Sequence, residues 1–455
     1  MATGLKSIGM VFATNEDVLL MFNMIGGRLM NNNKEVFTNY IDILQEELVT
    51  ALGCTEPVAI AYAAATAREV LGCFPENAVL ECSGNIVKNV KSVVIPNTGG
   101  LKGIRAGLLA GLVGGKADSC LEVLAQMTAE HIAYVQRLLN SNFGEVKLLA
   151  TDVNLHLRVH VMARHDYVTV EIKHTHANIC RIEKNGQIIY RRDDNAAKYS
   201  GTNTDRTALT VENIYQFANT AHLDSIRSLI AKQISCNMAL AEEGLQGEYG
   251  VGIGRTLLEF GPGEPVLRKL KAYAAAAAEA RMSGCILPVV TNSGSGNQAI
   301  AATIPVIVYA REYGLSEETL CRGLVFSNLL TIHQKTPIGR LSAFCGAVSA
   351  ACASGAAITY LAGGELEQIN QTIHNMLANV SGIICDGAKP ACAAKIASCL
   401  DAAYMAHVLA RKGRRYQGGE GIIKNDVEAS IAAVGRLAYY GMRVTDAEIL
   451  KIMLE

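Results

Sequence analysis

The stretch Gly382-Ile-Ile-Cys385-Asp-Gly-Ala-Lys-Pro-Ala-Cys392 separates two apolar patterns of helical period, at 365–380 and 391–411. Its glycines and its proline predict a loop, and this loop carries two cysteines seven positions apart. A third cysteine, Cys345, lies near the head of another helical pattern, at 340–361. The three sulfurs are thus expected at helix ends or turns, where they can face one space.

The rest of the C-terminal half continues the helical pattern, whereas the preceding part predicts a sheet. After residue 206 the apolar residues recur at spacings of three and four, with little strand signal. Residues 145–191 instead alternate with period two, with a hairpin over Asn185-Gly186, and residues 78–95 predict strands on either side of a turn at Gly84-Asn85. The expected fold class is therefore α+β, a mixed α/β domain with a predominantly helical domain that carries the three cysteines.

A polar, aperiodic segment, Asp193–Asp205, marks the predicted boundary between these two parts. The resulting division has four segments: an extension at 1–33, helices at 34–72 that carry Cys54 and pack on the C-terminal domain, an α/β domain at 73–205, and an all-α domain at 206–455.

The composition favours a globular protein of a reducing compartment. The 455 residues include 41 basic and 42 acidic side chains, a net charge of −1 that gives no basic surface for nucleic acid or an anionic membrane. Thirteen cysteines in so long a chain, with no recognisable signal peptide, predict free thiols and a cytoplasmic location. The uncharged stretch Leu341–Gly364 is long enough to span a bilayer, but its many Ala, Ser, Gly and Cys residues predict a buried helix instead.

The spacing of Cys345, Cys385 and Cys392 alone leaves two interpretations open. They are either ligands of one metal centre or three small core residues among thirteen cysteines. The spacing is not C-x2-C, so neither a zinc ribbon nor a two-cluster ferredoxin is indicated. Cys352 and Cys399 each follow one of them by two helical turns and are predicted to be core residues.

A second candidate site is a polar loop that precedes a helical pattern. Its glycines permit close backbone approach, and a helix N-terminus offers N–H donors to a carboxylate. It lacks the Lys-Ser/Thr of a phosphate-binding loop. It is either a carboxylate-binding loop or an ordinary connection, and its members are Asn292, Ser293, Gly294, Ser295, Gly296, Asn297 and Gln298.

A third candidate is Cys54, which directly precedes a helical pattern that starts at Thr55-Glu56-Pro57. The helix dipole there favours a low-pKa thiolate able to act as a base or nucleophile. The alternative is a small residue at a helix kink. Asn85 either supplies a polar contact or lies in an exposed turn, and His174 and His176 are either zinc ligands or half-buried strand residues.

The sequence resembles the L-cysteine desulfidase family, which is serine-dehydratase-like. The resemblance covers about residues 36–455 and rests on four motifs in order: Gly53-Cys-Thr-Glu-Pro57, Asn292-Ser-Gly-Ser-Gly-Asn-Gln298, Arg340-Leu-Ser-Ala-Phe-Cys345, and Gly382 through Cys392. The first 33 residues have no counterpart in the family, and Lys389-Pro390 inside the last motif is an unusual pair.

This resemblance implies a [4Fe–4S] cluster held by the cysteines matching Cys345, Cys385 and Cys392, and a catalytic base matching Cys54. The implied reaction converts L-cysteine and water to pyruvate, ammonia and hydrogen sulfide without pyridoxal phosphate. The polar loop and Asn85 would then bind the substrate. The implied partner is a small amino acid, and assembly into a homo-oligomer is left open.

Three rival functions remain at the level of sequence. L-serine or L-threonine dehydration would use the same cluster, because the polar loop serves a hydroxyl substrate as well as a thiol. A membrane transporter would use the small-residue helices. A zinc- or redox-sensing regulator would use the same cysteines.

Overall fold

The computed structural model describes residues 35–192, 204–260 and 263–455. The predicted extension at 1–33 and most of the predicted boundary segment, 193–203, lie outside the described residues. The described part combines one large sheet with many helices, which confirms the α+β prediction.

The sheet has six strands in the order β3-β2-β4-β5-β6-β7. Strand β2 pairs parallel with β3, and the remaining neighbours are antiparallel. The strands are β2 (Asn77–Cys82), β3 (Glu145–Leu148), β4 (His156–Ala163), β5 (Asp166–Lys173), β6 (Ile179–Lys184) and β7 (Gln187–Arg191). The predicted β6–β7 hairpin over Asn185-Gly186 is confirmed, since both residues adopt the positive φ (51° and 80°) that such a tight turn requires.

Helices flank this sheet. They are α2 (Thr55–Leu71), α3 (Gly84–Val90), α4 (Ile104–Gly114) and α5 (Ala129–Asn140). The predicted turn at Gly84-Asn85 is wrong, because these residues form the first turn of α3. Ser83 precedes this helix in an extended conformation, and Ile86, Val87 and Val90 are buried along it. Tertiary packing of this apolar face overrides the strand preference of the valine-rich segment.

The C-terminal half is helical as predicted. Its helices are α6 (Val211–Thr220), α7 (Asp224–Gln246), α8 (Ile253–Phe260), α9 (Pro265–Met282), α10 (Gly296–Glu312), α11 (Glu317–Lys335), α12 (Gly346–Leu361), α13 (Leu366–Asn379), α14 (Cys392–Arg411), α15 (Val427–Arg436) and α16 (Arg443–Leu454). Helix α12 is almost wholly buried, which confirms the prediction for the uncharged stretch around it, and Cys352 and Cys399 lie in the core as expected. Among the described residues no helix is long and apolar enough to cross a membrane.

A two-stranded ladder, absent from the prediction, connects the two halves. Strand β1 (Thr50–Leu52) pairs antiparallel with β8 (Pro288–Val290). Cys54 follows the first strand and the polar loop follows the second, so the ladder places these two predicted site segments side by side. The Thr55 hydroxyl donates to the Gly294 carbonyl at 3.0 Å.

Two hydrophobic cores correspond to the two halves, but their border differs from the predicted one. Helix α1 (35–47) contributes Tyr40, Ile43 and Leu44 to the helical core. Helix α2 contributes instead to the sheet core, together with β4, β5 and α4. Cys54 therefore begins a helix of the sheet domain, whereas residues 34–72 were expected to pack together on the C-terminal domain.

Close packing of α2 against α4 yields a stability prediction. A Cβ at Gly111 would lie only 2.6 Å from the Ala61 Cα, whereas one at Gly107 would lie 3.4 Å from the Pro57 carbonyl. We expect Gly111→Ala to lower the free energy of unfolding by about 1–3 kcal/mol, because α2 must move away. Gly107→Ala, on the same helix, is the matched control and should change it far less. Urea denaturation of both variants measures this, and equal stability would contradict the described packing.

Candidate active site

One cavity of about 100 Å³ brings the predicted site segments together. Its wall includes Cys54 and all three cysteines predicted as ligands, Cys345, Cys385 and Cys392. Residues separated by more than 300 positions in the chain thus face one space. A larger cavity of about 420 Å³ adjoins it and shares Lys335, Arg340 and Leu341 with it.

Backbone pairing aligns two of the three cysteines. Phe344 and Ile384 form an antiparallel bridge. On either side of it, the Cys345 N–H donates to the Ile383 carbonyl at 2.8 Å and the Cys385 N–H donates to the Ala343 carbonyl at 2.6 Å. Cys345 is also the N-cap residue of α12. This pairing explains why cysteines forty positions apart lie next to each other.

The third cysteine is positioned by the loop predicted from the sequence. Cys392 is the first residue of α14, and its N–H donates to the Lys389 carbonyl at 2.9 Å. Asp386 forms ion pairs with both Lys389 and Lys395. Lys389, noted as unusual in the sequence, therefore closes the loop through a salt bridge and leaves the cysteine spacing intact.

Four helices begin at this cavity. The first residues or N-cap residues of α2, α10, α12 and α14 belong to its wall: Cys54, Ser295, Cys345 and Cys392. Each helix N-terminus directs unpaired N–H groups and the positive end of its dipole toward the space. The cavity is therefore suited to negatively charged contents, such as thiolates and a carboxylate.

The three thiols differ in acidity. A hydrogen bond from Cys345 lowers the pKa of Cys385 to about 6 against the effect of burial, with further help from the Lys88 charge. The same contact and burial raise the pKa of Cys345. Burial also raises the pKa of Cys392. Cys385 is consequently the thiol most readily ionised at neutral pH.

Cys54 and Glu56 form a buried pair in the same wall. The Cys54 thiol donates to Glu56 Oε2 at 3.0 Å, and both side chains are almost completely buried. Burial and the Glu56 carboxylate raise the pKa of Cys54 well above its usual value, although the Arg281 charge opposes them. The expectation of a low-pKa thiolate is therefore wrong for this state, because burial and a neighbouring negative charge outweigh the helix dipole.

The negative charge of the pair resides on Glu56. Its Oε1 accepts a hydrogen bond from Asn89 Nδ2 at 3.1 Å and lies 3.6 Å from His176 Nε2. Burial would raise the pKa of this carboxyl, but hydrogen bonding and charge from His176, together with the Cys54 hydrogen bond, lower it to about 2. An ionised carboxylate in contact with a thiol can accept its proton, but the lowered pKa of Glu56 and the raised pKa of Cys54 oppose that transfer in this state.

The polar loop divides its members between several roles. Ser295, Asn297 and Gln298 belong to the cavity wall, and the buried Gln298 Oε1 has no hydrogen-bond partner there. Asn292 turns away and donates to Asn328 Oδ1 at 2.9 Å, while Ser293 lines the adjoining larger cavity. Gly294 and Gly296 lie outside the wall itself. Substrate binding by this loop stays a prediction.

Other predicted residues lie at varying distances from the cavity. Asn85 lines a separate cavity beside α16 and approaches Asn154 at 3.5 Å, so its assignment to substrate stays a prediction. His176 is buried beside Glu56, whereas His174 lines the larger adjoining cavity. His333 contacts Glu428 at 2.6 Å, away from the cysteines.

Two buried cations belong to the cavity wall, although neither was predicted from the sequence as a site residue. Arg281, near the C-terminus of α9, is only 3% exposed and was not singled out. Lys335, in the last turn of α11, is 5% exposed and belongs to the wall. Burial lowers the pKa of Lys335 to about 8, although Cys385 and Cys345 raise it. An arginine or lysine in the last turn of a helix is common, which is why neither was conspicuous.

Comparison with known proteins places this site in a family. Residues 118–451 match the serine dehydratase alpha chain family, and this range contains the three clustered cysteines and the polar loop. The chain belongs to the serine dehydratase alpha chain family. Cys54 and Glu56 precede the matched range of this family.

Relatives of this serine dehydratase-like chain cover nearly its whole length. It is 48% identical over 430 residues to a UPF0597 protein of Treponema denticola, covering 94% of this chain and all of that one. It is 48% identical over 425 residues to a UPF0597 protein of Desulfitobacterium hafniense, covering 93% and 98%. A UPF0597 protein of Finegoldia magna is 44% identical over 420 residues, covering 92% and 99%. These names state no substrate.

Proposed function

We propose that this chain is a lyase that degrades L-cysteine to pyruvate, ammonia and hydrogen sulfide, independently of pyridoxal phosphate. One observation carries the proposal. One cavity combines three cysteine thiols, a thiol–carboxylate pair and amide side chains at helix N-termini. Membership of the serine dehydratase alpha chain family supports elimination chemistry on a small amino acid. A cytoplasmic location and a homo-oligomeric state remain predictions.

We further propose that Cys345, Cys385 and Cys392 hold a [4Fe–4S] cluster. The donor set fits this cofactor, since iron–sulfur clusters are held by cysteine thiolates. The lowered pKa of Cys385 and the four helix N-termini favour an anionic centre. In the described part of the chain, no three His, Cys, Asp or Glu side chains converge on a site for a single metal ion. A cluster does not require such convergence, because each thiolate binds a different iron.

The cluster, when bound, would supply a Lewis-acidic iron that makes the leaving group of the substrate easier to expel. The protein would supply the proton transfers. At rest the proton of the Cys54–Glu56 pair lies on sulfur and the charge on the carboxylate. Transfer of that proton to Glu56 frees Cys54 Sγ to accept the Cα proton of the substrate.

Protons and charge are conserved through these transfers. Removal of the Cα proton by Cys54 and departure of the substrate sulfur as hydrosulfide leave 2-aminoacrylate. The proton on Glu56 then leaves with the sulfide as hydrogen sulfide, which restores the resting pair. Water converts the aminoacrylate to pyruvate and ammonia.

L-serine is the second candidate substrate, because the matching family is described as serine dehydratase. The same pair could remove the Cα proton of serine, with hydroxide leaving in place of hydrosulfide. L-threonine would follow the same path if the cavity accommodates its methyl group.

Product analysis with two substrates tests the proposed function. We expect the anaerobically reconstituted protein to release sulfide and pyruvate in equal amounts from L-cysteine. A kcat/KM for L-cysteine more than about tenfold above that for L-serine would support the desulfidase assignment, a difference of about 1.4 kcal/mol in transition-state stabilisation. The reverse preference would make the chain a serine dehydratase. Absence of pyruvate from both substrates would contradict lyase function.

A further inference from the structure

Arg281 is a buried cation with spare donor capacity that faces the cavity. Its guanidinium donates to Asn297 Oδ1 at 3.0 Å, and its Nε has no hydrogen-bond partner. Among the described residues no carboxylate forms an ion pair with it. Burial lowers the pKa of Arg281, while the charges of Cys54, Glu56 and Cys392 raise it. Leaving the Nε of a buried guanidinium without an acceptor is costly unless an anion completes its coordination.

Two half-buried arginines illustrate the contrast. Arg206 and Arg340 both form ion pairs with Glu47, which is almost wholly buried. Arg340 lines the same cavity as Arg281, at 2.8 Å from Glu47 Oε1. The chain thus provides an internal carboxylate where an arginine has only a structural role. Within the part of the chain that the structure describes, no carboxylate is paired with Arg281.

Glu56 does not fill this position. Its oxygens accept hydrogen bonds from Cys54 and Asn89 and face His176, and it forms no ion pair with Arg281. The hydrogen bonds that Glu56 accepts therefore come from side chains other than Arg281.

The backbone around Arg281 allows the guanidinium to reach the start of α10. A Cβ at Gly296 would lie 2.6 Å from Arg281 Cζ, so only glycine permits this approach. Gly296 and Asn297 are the first two residues of α10, and their N–H groups point out of the helix start. A planar carboxylate can be held between an arginine fork and such N–H groups.

We propose that Arg281 binds the α-carboxylate of the amino-acid substrate, with Asn297 orienting the guanidinium. This inference rests on the proposed function, since it names the residue that anchors the substrate of that reaction. The principal contact to the substrate carboxylate is thus assigned to Arg281, which the polar loop orients, instead of to the polar loop itself.

Binding of L-alanine tests this directly, because alanine carries the carboxylate but no leaving group. Anaerobic calorimetry on the reconstituted protein should show binding to wild type and roughly 10–100-fold weaker binding to Arg281→Gln, as for a lost charge-assisted hydrogen bond. Arg281→Lys should restore part of it. L-alaninamide, which lacks the carboxylate charge, should bind wild type and Arg281→Gln equally weakly. Iron and sulfide content, measured on the same samples, should stay unchanged.

Two further variants complete the design. Arg322→Gln is the matched control, since Arg322 is half-buried, donates to the Ala218 carbonyl and lies outside the cavity wall; its affinity for L-alanine should change less than about threefold. Asn297→Asp places a carboxylate beside Arg281 without changing size, so it should weaken L-alanine binding at least about tenfold.

The outcomes separate this inference from the proposed function. Wild-type affinity in Arg281→Gln would overturn the carboxylate assignment. Loss of the cluster in Arg281→Gln with wild-type affinity in Asn297→Asp would also overturn it, and would make Arg281 a charge partner of the cluster. A wild type that neither binds L-alanine nor releases pyruvate would contradict the proposed function instead.

Discussion

Replacing Cys385 with alanine should remove the cluster and lyase activity together. Cys385 is the most acidic of the three thiols, with a pKa lowered to about 6, and its backbone is locked to the segment that carries Cys345. Loss of one thiolate leaves two ligands, too few to retain a cluster that normally uses at least three. We expect the iron and sulfide content after anaerobic reconstitution to fall by more than about tenfold, a change at least as large as that from losing a supporting residue of a metal site.

Cys399→Ala is the matched control for this variant. Cys399 lies two turns along α14 from Cys392 and is fully buried, and burial raises its pKa to about 12. Replacing Cys399 leaves a small void in the core and removes none of the proposed cluster ligands. The control should therefore keep its iron and sulfide while losing about 1 kcal/mol of stability. Equal cluster content in Cys385→Ala and Cys399→Ala would refute the ligand assignment.

Replacing Glu56 with glutamine should slow turnover by roughly 10²–10⁴-fold, the usual effect of losing a general base. Glutamine keeps the shape and can still contact Cys54, but it cannot accept the thiol proton. Cys54→Ala should have an effect of the same size. If the two residues act as a unit, the double variant should be no slower than either single one. Stopped-flow or steady-state rates at saturating L-cysteine measure kcat in all three.

Glu171→Gln is the control for the effect of replacing a buried carboxylate with a neutral amide. Glu171 is a buried carboxylate of β5, and hydrogen bonds from His156 and Arg158 lower its pKa to about 2 against the effect of burial. It lies outside the cavity wall, so kcat should stay within about threefold of wild type even if stability falls. A Glu56→Gln variant that keeps wild-type kcat would exclude the pair as the base.

The lowered pKa of Glu56 determines the pH range in which its carboxylate stabilises the fold. A carboxyl with a folded-state pKa of about 2 stabilises the fold above the unfolded value near 4.5. That contribution is lost only as the pH falls from this value toward about 2. Glu56 is therefore ionised throughout the neutral range.

Much of the architecture follows from sequence pattern. The helical period after residue 206 and the alternation at 145–191 predict the two halves, because burying one face of a helix or strand imposes those periods. The hairpin at Asn185-Gly186 is equally predictable, since few residues tolerate two positive φ angles. The strand expected after Gly84 shows the limit of this reasoning, because β-branched residues also occur in a short buried helix.

The side on which a helix packs was less predictable. Helix α2 is rich in alanine and buried on nearly every face, so its sequence gives no preferred direction. The β1–β8 ladder that places Cys54 beside the polar loop consists of only three residues per strand. So short a strand has no distinct periodicity in the sequence.

Electrostatics at the site could not be predicted from local sequence either. The helix start at Cys54 suggested a thiolate, but Glu56 and complete burial reverse that effect. Arg281 ends an alanine-rich helix and resembles an ordinary C-terminal basic residue. Only the tertiary structure shows that Arg281 is buried, that it shares a cavity wall with the three cysteines, and that no carboxylate of the described ranges pairs with it.

The most direct test of a cluster-dependent lyase is the rate of pyruvate release from L-cysteine as a function of cluster content. Wild-type protein would be reconstituted anaerobically to graded occupancy, with iron and acid-labile sulfide determined on each sample. We predict about four iron and about four sulfide ions per chain at full loading, and a rate proportional to that loading. Full turnover by metal-free protein, or a rate that follows bound zinc instead of iron and sulfide, would contradict the account.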